Sequence, residues 1–396
     1  MNTLDNTNFA GRRAVVRVDF NVPLDADLHI TDDTRIRAAT PSIKKILADG
    51  GSVVLLSHLG RPKGGYEKKF SLESLVQRLE QEYGQEVLWG GDVLSDEALG
   101  KAKNLQPGQV LLLDNLRFHK EEEAGDPAFA QRLAALGDVY VNDAFGTAHR
   151  AHASTAVMAQ YFAPENRVGG YLLQGEVDNA RKVLEHADRP FTAIMGGAKI
   201  SDKILLIDKL LDRVDNLLIG GGMAYTFAVA RGGHVGSSLL EADKVDLARD
   251  LIARAKAKGV NLVLPSDSLI ANVFANDADV DVAPNDSIPA GWMGLDLGPD
   301  AREEFAGIIH ASKTILWNGP MGVFEMSNFS LGTEYVARAV AEATEAGAYS
   351  LIGGGDSAAA VQQMGFADRM SYISTGGGAL LEFMEGKELP GVAALG

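Results

Sequence analysis

The chain has 396 residues, of which 46% are hydrophobic and none is cysteine, and its net charge is −16. That length exceeds one ordinary core and sets an expectation of two or three domains, while the missing cysteines exclude disulfides, thiolate catalysis and cysteine-bound metals. The acidic balance argues against a nucleic-acid partner, no apolar run approaches the ~18 residues of a membrane span, and Met1–Asp5 lacks the features of a signal peptide, so a cytoplasmic protein without nucleic-acid or membrane partners is expected.

Arg13–Val18 reads as the first strand, left by the loop Asp19-Phe20-Asn21-Val22-Pro23. Thr34–Leu47 has helical spacing and carries Arg35 in its first turn. Val53-Val54-Leu55-Leu56 is apolar throughout, the mark of a strand buried on both faces, and it opens into Ser57-His58-Leu59-Gly60-Arg61-Pro62-Lys63-Gly64. Ser71–Tyr83 is predicted as an amphipathic helix starting at a partial capping box. Val110–Leu113 leads towards Arg117, Phe129–Leu136 is a short predicted helix, and Val139-Tyr140-Val141 leads to Arg150. Glu176–His186 has helical character and reads as a connector between two domains, with Gly169-Gly170 and Asp188-Arg189-Pro190 as its natural ends.

In the second half the apolar runs end in glycine. Phe191–Met195 meets Gly196-Gly197, Asn216–Ile219 meets Gly220-Gly221-Gly222, Tyr349–Ile352 meets Gly353-Gly354-Gly355, and Tyr372–Thr375 meets Gly376-Gly377-Gly378. Thr314-Ile315-Leu316 enters the loop Trp317–Glu325. Helices are expected near Ser201–Leu211, Met223–Ala230, Ala242–Lys258, Asp300–His310, Thr333–Ala346 and Ser357–Met364. Strand followed by helix throughout implies right-handed crossovers and parallel sheets.

Open parallel sheets bind ligands at the carboxyl ends of their strands. In the first half those ends carry Asp19, Asn21, Arg35, His58, Arg61, Arg117 and Arg150, a candidate site for a small, highly charged anion, because the planar fork of arginine grips phosphate or carboxylate oxygens in pairs. Any one of these arginines alone would read as a solvated surface charge; four at corresponding strand ends form a pattern. His149 and His152 read as polar side chains of a cleft or of local hydrogen bonds rather than as metal ligands. Gly196–Lys203 follows a strand and opens a helix, so its amides suit phosphate, with Lys199 and Lys203 expected on one helix face. The spacing is not that of a Walker A loop. Gly353–Ala358 matches G-x-G-x-x-A, but the acidic ribose partner about 20 residues on is missing. Asp356, at a helix start, is placed to hold Mg²⁺ bridged to nucleotide phosphates, and Glu325 offers a carboxylate to ribose hydroxyls, with the aromatics of its loop read as packing.

Taken together these motifs resemble the phosphoglycerate kinase family nearly end to end. The carriers are Arg17–Pro23, Ser57–Pro62, Asn115-Leu116-Arg117-Phe118, Asp143–Arg150, Gly197-Ala198-Lys199, Trp317–Glu325, Gly353–Ser357 and Ser374–Gly378. The resemblance implies an α/β fold of two Rossmann-like domains, each a parallel sheet with helices on both faces, separated by a deep hinge cleft. Residues 1–170, joined by 385–396, would bind 3-phosphoglycerate or 1,3-bisphosphoglycerate through Asp19, Phe20, Asn21, Arg35, His58, Leu59, Gly60, Arg61, Arg117 and Arg150. Residues 171–187 would be the connecting helix. Residues 188–384 would bind Mg-ADP or Mg-ATP through Gly197, Lys199, Lys203, Gly221, Asn318, Pro320, Glu325, Gly354, Gly355, Asp356 and Ser357, with Asp356 on the metal. Arg35, Lys199 and Lys203 would be catalytic, and the protein a monomer. Asp114 stands where the family often has glutamate, and Ser357 where threonine is common. The competing readings are an NAD-dependent dehydrogenase, which the missing ribose acid opposes, and a non-catalytic nucleotide-binding protein of the same fold.

Overall fold

Each apolar run read from the sequence forms a strand in a parallel sheet. In the computed structural model, which describes residues 1–396, the first sheet contains β1 (Asn2–Thr3), β2 (Arg13–Val18), β3 (Ser52–Leu56), β4 (Val87–Trp89), β5 (Val110–Leu112), β6 (Val139–Asp143) and β7 (Arg167–Gly169), in the order β1-β7-β6-β2-β3-β5-β4. All its pairings are parallel. Alternate residues explain the continuous hydrophobicity. Ala14, Val16, Val53, Leu55, Val139 and Val141 share one core with Ile36, Ile43 and Ile46 of the helix Thr34–Ala48. Their neighbours Val15, Val54, Leu56, Leu111 and Tyr140 are equally buried, as they must be on strands that alternate faces beneath two covering layers. The chain runs from β2 outward through β3 and returns at β6 on the other side of β2, so the sheet reverses direction between β2 and β6.

The second set of strands is β8 (Phe191–Met195), β9 (Asn216–Ile219), β10 (His234–Val235), β11 (Asn261–Val263), β12 (Asp267–Ala271), β13 (Val280–Pro284), β14 (Ser287–Ile288), β15 (Met293–Leu297), β16 (Thr314–Asn318), β17 (Tyr349–Gly353) and β18 (Tyr372–Ile373). Six of them form a parallel sheet in the order β11-β9-β8-β16-β17-β18. Renumbered along the chain this is 3-2-1-4-5-6, the dinucleotide-fold order, with its switch point between β8 and β16. The chain divides into two compact units, Met1–Asp178 with Lys387–Gly396, and Asn179–Gly386. The division falls inside the helix Tyr171–Glu185. No helix is long and apolar enough to cross a membrane.

Three expectations are corrected. The alternation of strand and helix is not continuous: β12, β13 and β15 form a separate antiparallel sheet in the order β13-β12-β15, because no helix intervenes to carry the chain back to a parallel start. Lys199 and Lys203 do not share a helix face. The helix begins only at Ile204, with Lys203 just before it. The amides of Ile200 and Ser201 are instead taken by the Glu241 carboxylate, at 2.6 and 3.3 Å. The segment from Ser71 opens as a 3₁₀ turn, Leu72–Leu75, before the α-helix Val76–Tyr83. Asp114 holds its start by accepting from Ser71 Oγ and the Leu72 amide.

Candidate functional site

In the first unit the strand ends beside the switch between β2 and β6 are tied together by polar groups. Arg35 Nη1 donates to Asp19 Oδ2 at 2.5 Å, Asn21 Oδ1 accepts from the Gly60 amide at 2.7 Å, and Arg117 Nη1 donates to the Gly60 carbonyl at 3.0 Å. Gly60 adopts φ +60°, and a Cβ there would lie 2.4 Å from the Phe70 ring, so only glycine lets this loop fold back between Asn21 and Arg117. Asn115 braces it from beneath, its Nδ2 donating to the carbonyls of Leu59 and Phe70 at 2.6 and 3.0 Å. Phe20 and Leu59 are buried in the core, so their side chains serve packing. Arg61 and Arg150 are exposed, and Arg150 Nε donates to His149 Nε2 at 3.2 Å.

The electrostatics show cations converging. Burial pushes the Asp19 carboxyl up, but His58 in its charged form, Arg35, Arg17 and the Asn21 amide outweigh it and hold the group below its ordinary value, the arginines being the ones that stay charged at neutral pH. Burial drives the His58 ring well below its own ordinary value against the pull of Asp19, and Arg17, Arg117 and Arg35 reinforce the effect. At neutral pH, therefore, the arginines hold Asp19 ionised. Arg117 is lowered by burial, opposed by Glu123, with Arg17 and Arg150 adding to the lowering. Clustered positive charge in a protein of net charge −16 is an environment that an anion relieves.

The second unit holds a cradle of backbone. At the switch between β8 and β16 the Gly196 amide donates to the Asn318 carbonyl at 2.9 Å, Gly197 to Pro320 at 3.0 Å and Gly221 to Met321 at 3.1 Å. The strand ends touch so closely that a Cβ at Gly196 would lie 2.1 Å from the Pro320 carbonyl oxygen. Lys203 Nζ donates to Asn318 Oδ1, Asn318 Nδ2 donates to the Gly353 carbonyl at 2.8 Å, and the buried Ser357 Oγ accepts from the Gly319 amide at 2.6 Å. The helix Gly355–Gln363 starts at Gly354, has no side-chain cap, and carries Asp356 in its first turn. Its free amides suit an anion. Burial lowers Lys203, and Asp202 and Asp356 oppose that. Lys199 is exposed.

A cavity of about 500 Å³ opens beside these loops, lined by Gly197, Gly221, Pro320, Glu325 and Asp356 together with Leu239, Phe274, Leu295, Met321 and Val323. Its size is ordinary for a small-molecule pocket. Leu239 and Phe274 are 48% and 58% exposed, large apolar side chains left uncovered in the wall of this cavity. Trp317 is buried, and its indole donates to the Gly319 carbonyl at 2.7 Å, so that aromatic packs the loop from within.

The family model described as phosphoglycerate kinase matches residues 4–387. The chain belongs to the phosphoglycerate kinase family. A phosphoglycerate kinase from Porphyromonas gingivalis is 52% identical, with 99% of each chain covered. Phosphoglycerate kinase 3, cytosolic, from Arabidopsis thaliana is 54% identical over 99% of this chain and 97% of its own. The solved phosphoglycerate kinase of Coxiella burnetii superposes with a TM-score of 0.90 at 41% identity, covering 99% of this chain and 98% of that one.

In this phosphoglycerate kinase fold some participants escaped sequence reading. Arg17 looks like one more strand residue, yet its guanidinium is buried against His58 and Ser154. Leu239 and Phe274 lie in loops without a motif. Glu241, which organises Ile200 and Ser201, is 41 and 40 residues away from them, and no local pattern announces it.

Proposed function

We infer that the chain catalyses reversible, magnesium-dependent phosphoryl transfer between 1,3-bisphosphoglycerate and ADP, giving 3-phosphoglycerate and ATP. The observation that carries this is the division of labour within one chain: arginine side chains near the strand ends of one unit, and in the other glycine backbone at the switch point with an uncapped helix start after the neighbouring strand β17. Residues 1–170 with 385–396 bind the acid, through Asp19, Asn21, Arg35, His58, Arg61, Arg117, Arg150 and the backbone of Phe20, Leu59 and Gly60. Residues 188–384 bind the nucleotide, the base and ribose in the cavity by Leu239, Phe274 and Glu325. The phosphates lie over Gly197, Lys199, Lys203, Gly221, Asn318, Pro320 and Gly354–Ser357. Asp356, an exposed carboxylate beside that cavity, offers the hard oxygen ligand that magnesium prefers and would hold the ion, whose charge offsets that of the nucleotide phosphates.

The acceptor carboxylate is already anionic, so the reaction needs alignment and charge neutralisation rather than a general base. Arg35 and Lys199 meet the phosphoryl group in flight, and Lys203, held by Asn318, fixes the phosphates behind it. Hinge motion about the helix 171–187 brings the two substrates together. The cytosolic name of the Arabidopsis relative supports a cytoplasmic location, and the family resemblance supports a monomer.

The test is a coupled assay with 3-phosphoglycerate, ATP and Mg²⁺, in which an NADH-consuming enzyme removes 1,3-bisphosphoglycerate. Loss of NADH should require all three components and collapse in Arg35→Ala. Mg-ATP binding without turnover would make the chain a nucleotide-binding protein of the same fold, and near-normal turnover in Arg35→Ala would remove that residue from the transition state.

A further inference from the structure

The structure assigns Arg17 the task of holding His58 as the neutral tautomer protonated on Nε2, so that the ring presents an N–H donor to the anionic acid. This rests on the reading of His58 as a contact of that acid. Arg17 is 1% and His58 3% exposed. Arg17 Nε donates to Ser154 Oγ at 2.7 Å, Nη1 donates to the Val18 carbonyl, and Nη2 lies 3.2 Å from His58 Nδ1. A guanidinium has donors and no acceptor, so this last contact forms only when Nδ1 carries a lone pair. The ring proton therefore resides on Nε2, which has no hydrogen-bond partner within the chain. An imidazolium would turn an N–H of its own against the guanidinium.

The charged and titratable groups around the ring agree. Asp19 alone favours the cation, while burial, Arg17, Arg117 and Arg35 oppose it. The buried guanidinium is in turn balanced by Glu122, which is 1% exposed. Ser154 donates its amide to Glu122 Oε2 at 3.0 Å and its hydroxyl to Oε1, while the same hydroxyl accepts from Arg17. The series Glu122, Ser154, Arg17, His58 thus aims a neutral donor outward through side chains that are all buried. With the other tautomer the Nε2 lone pair would face the anion and repel it.

The test uses the full chain labelled with ¹⁵N-histidine. Two-bond ¹H–¹⁵N correlations distinguish the two neutral tautomers and the imidazolium, and His58→Gln identifies the signal. The wild type should show the neutral Nε2–H pattern from pH 6 to 8, and an Nδ1–H pattern or an imidazolium there would overturn the assignment without recourse to any variant. Arg17→Met is combined with Glu122→Gln, because removing the arginine alone leaves a buried carboxylate without its cation. The double variant should populate the Nδ1–H form and raise KM for 3-phosphoglycerate on the order of tenfold, the worth of one hydrogen bond to a charged group, with KM for ATP unchanged. An unaltered His58 spectrum in it would refute the positioning role. An unchanged KM for the acid in His58→Ala would overturn the acid-contact reading and the purpose assigned to the tautomer, whereas the wild-type spectrum judges the tautomer itself.

Discussion

Replacing Ser357 by alanine removes one oxygen from a fully buried position. That oxygen accepts the Gly319 amide at 2.6 Å, and Gly319 has little freedom to seek another partner. It adopts φ +97°, and even a Cβ on it would lie 2.3 Å from the Gly196 carbonyl oxygen. The substitution therefore strands a buried N–H, at a cost of about 1–3 kcal/mol. If the loop holds its place, the cost appears as lost stability. If the loop moves to reach water, it disturbs Pro320 and Gly197, which form one wall of the cavity, and the cost appears as weaker nucleotide binding, by up to roughly tenfold to a hundredfold. Urea unfolding and calorimetric titration with Mg-ADP on the full chain read the two shares, which should sum to about 1–3 kcal/mol. KM for 3-phosphoglycerate should not change, and Ser357→Thr, which keeps the hydroxyl, should restore both quantities. Wild-type stability and affinity in Ser357→Ala would refute the reasoning.

Gly60→Ala forces a side chain into the φ +60° backbone and against Phe70; overpacking of this kind costs about 1–3 kcal/mol, and kinetics should show a higher KM for the acid with KM for ATP unaltered. Phe274→Ala removes an exposed wall of the cavity, so calorimetry should find weaker Mg-ADP binding while the melting temperature barely moves. Burial pushes the Asp143 carboxyl up to about 6, against the Ser42 hydroxyl and the amides of Leu173 and Leu172. A folded pKa raised from 3.8 to about 6 gives stability that is present below pH 4 and lost as pH rises to 6, by about 3 kcal/mol at most. Asp143→Asn keeps an oxygen to accept from Leu172 and Leu173, so urea unfolding should show its stability gaining on the wild type as pH rises through that window. A constant difference between pH 4 and pH 7 would contradict it.

The strands that organise both sheets were legible because burial on two faces demands unbroken apolar runs, as in Val53–Leu56. The glycines after β8, β16 and β17 were legible because a strand end meeting bare backbone has few other uses. What stayed hidden depends on partners far away in the chain. Ser201-Asp202-Lys203 reads locally as a helix start, yet Glu241 claims the amides before it and delays the helix to Ile204. The antiparallel sheet was missed because β13 exposes four of its five residues, so it lacks the apolar signature of a buried strand. Arg17 gave no sign of its task because Ser154, its partner, lies 137 residues downstream.

The return of Lys387–Gly396 to the first unit also sets an order of events during synthesis. The Gly391 amide donates to the Ala148 carbonyl at 2.8 Å and Asn142 Nδ2 donates to the Gly391 carbonyl at 3.3 Å, and a Cβ at Gly391 would lie 2.9 Å from Ala148 Cα. These contacts close over the end of β6, yet the ribosome delivers them only after the whole of Asn179–Gly386. At about 5–20 residues per second that interval lasts roughly 10–40 s. For that time the nascent first half presents Asn142 and the Ala148 carbonyl to water, and its last piece arrives only after the second unit has been made.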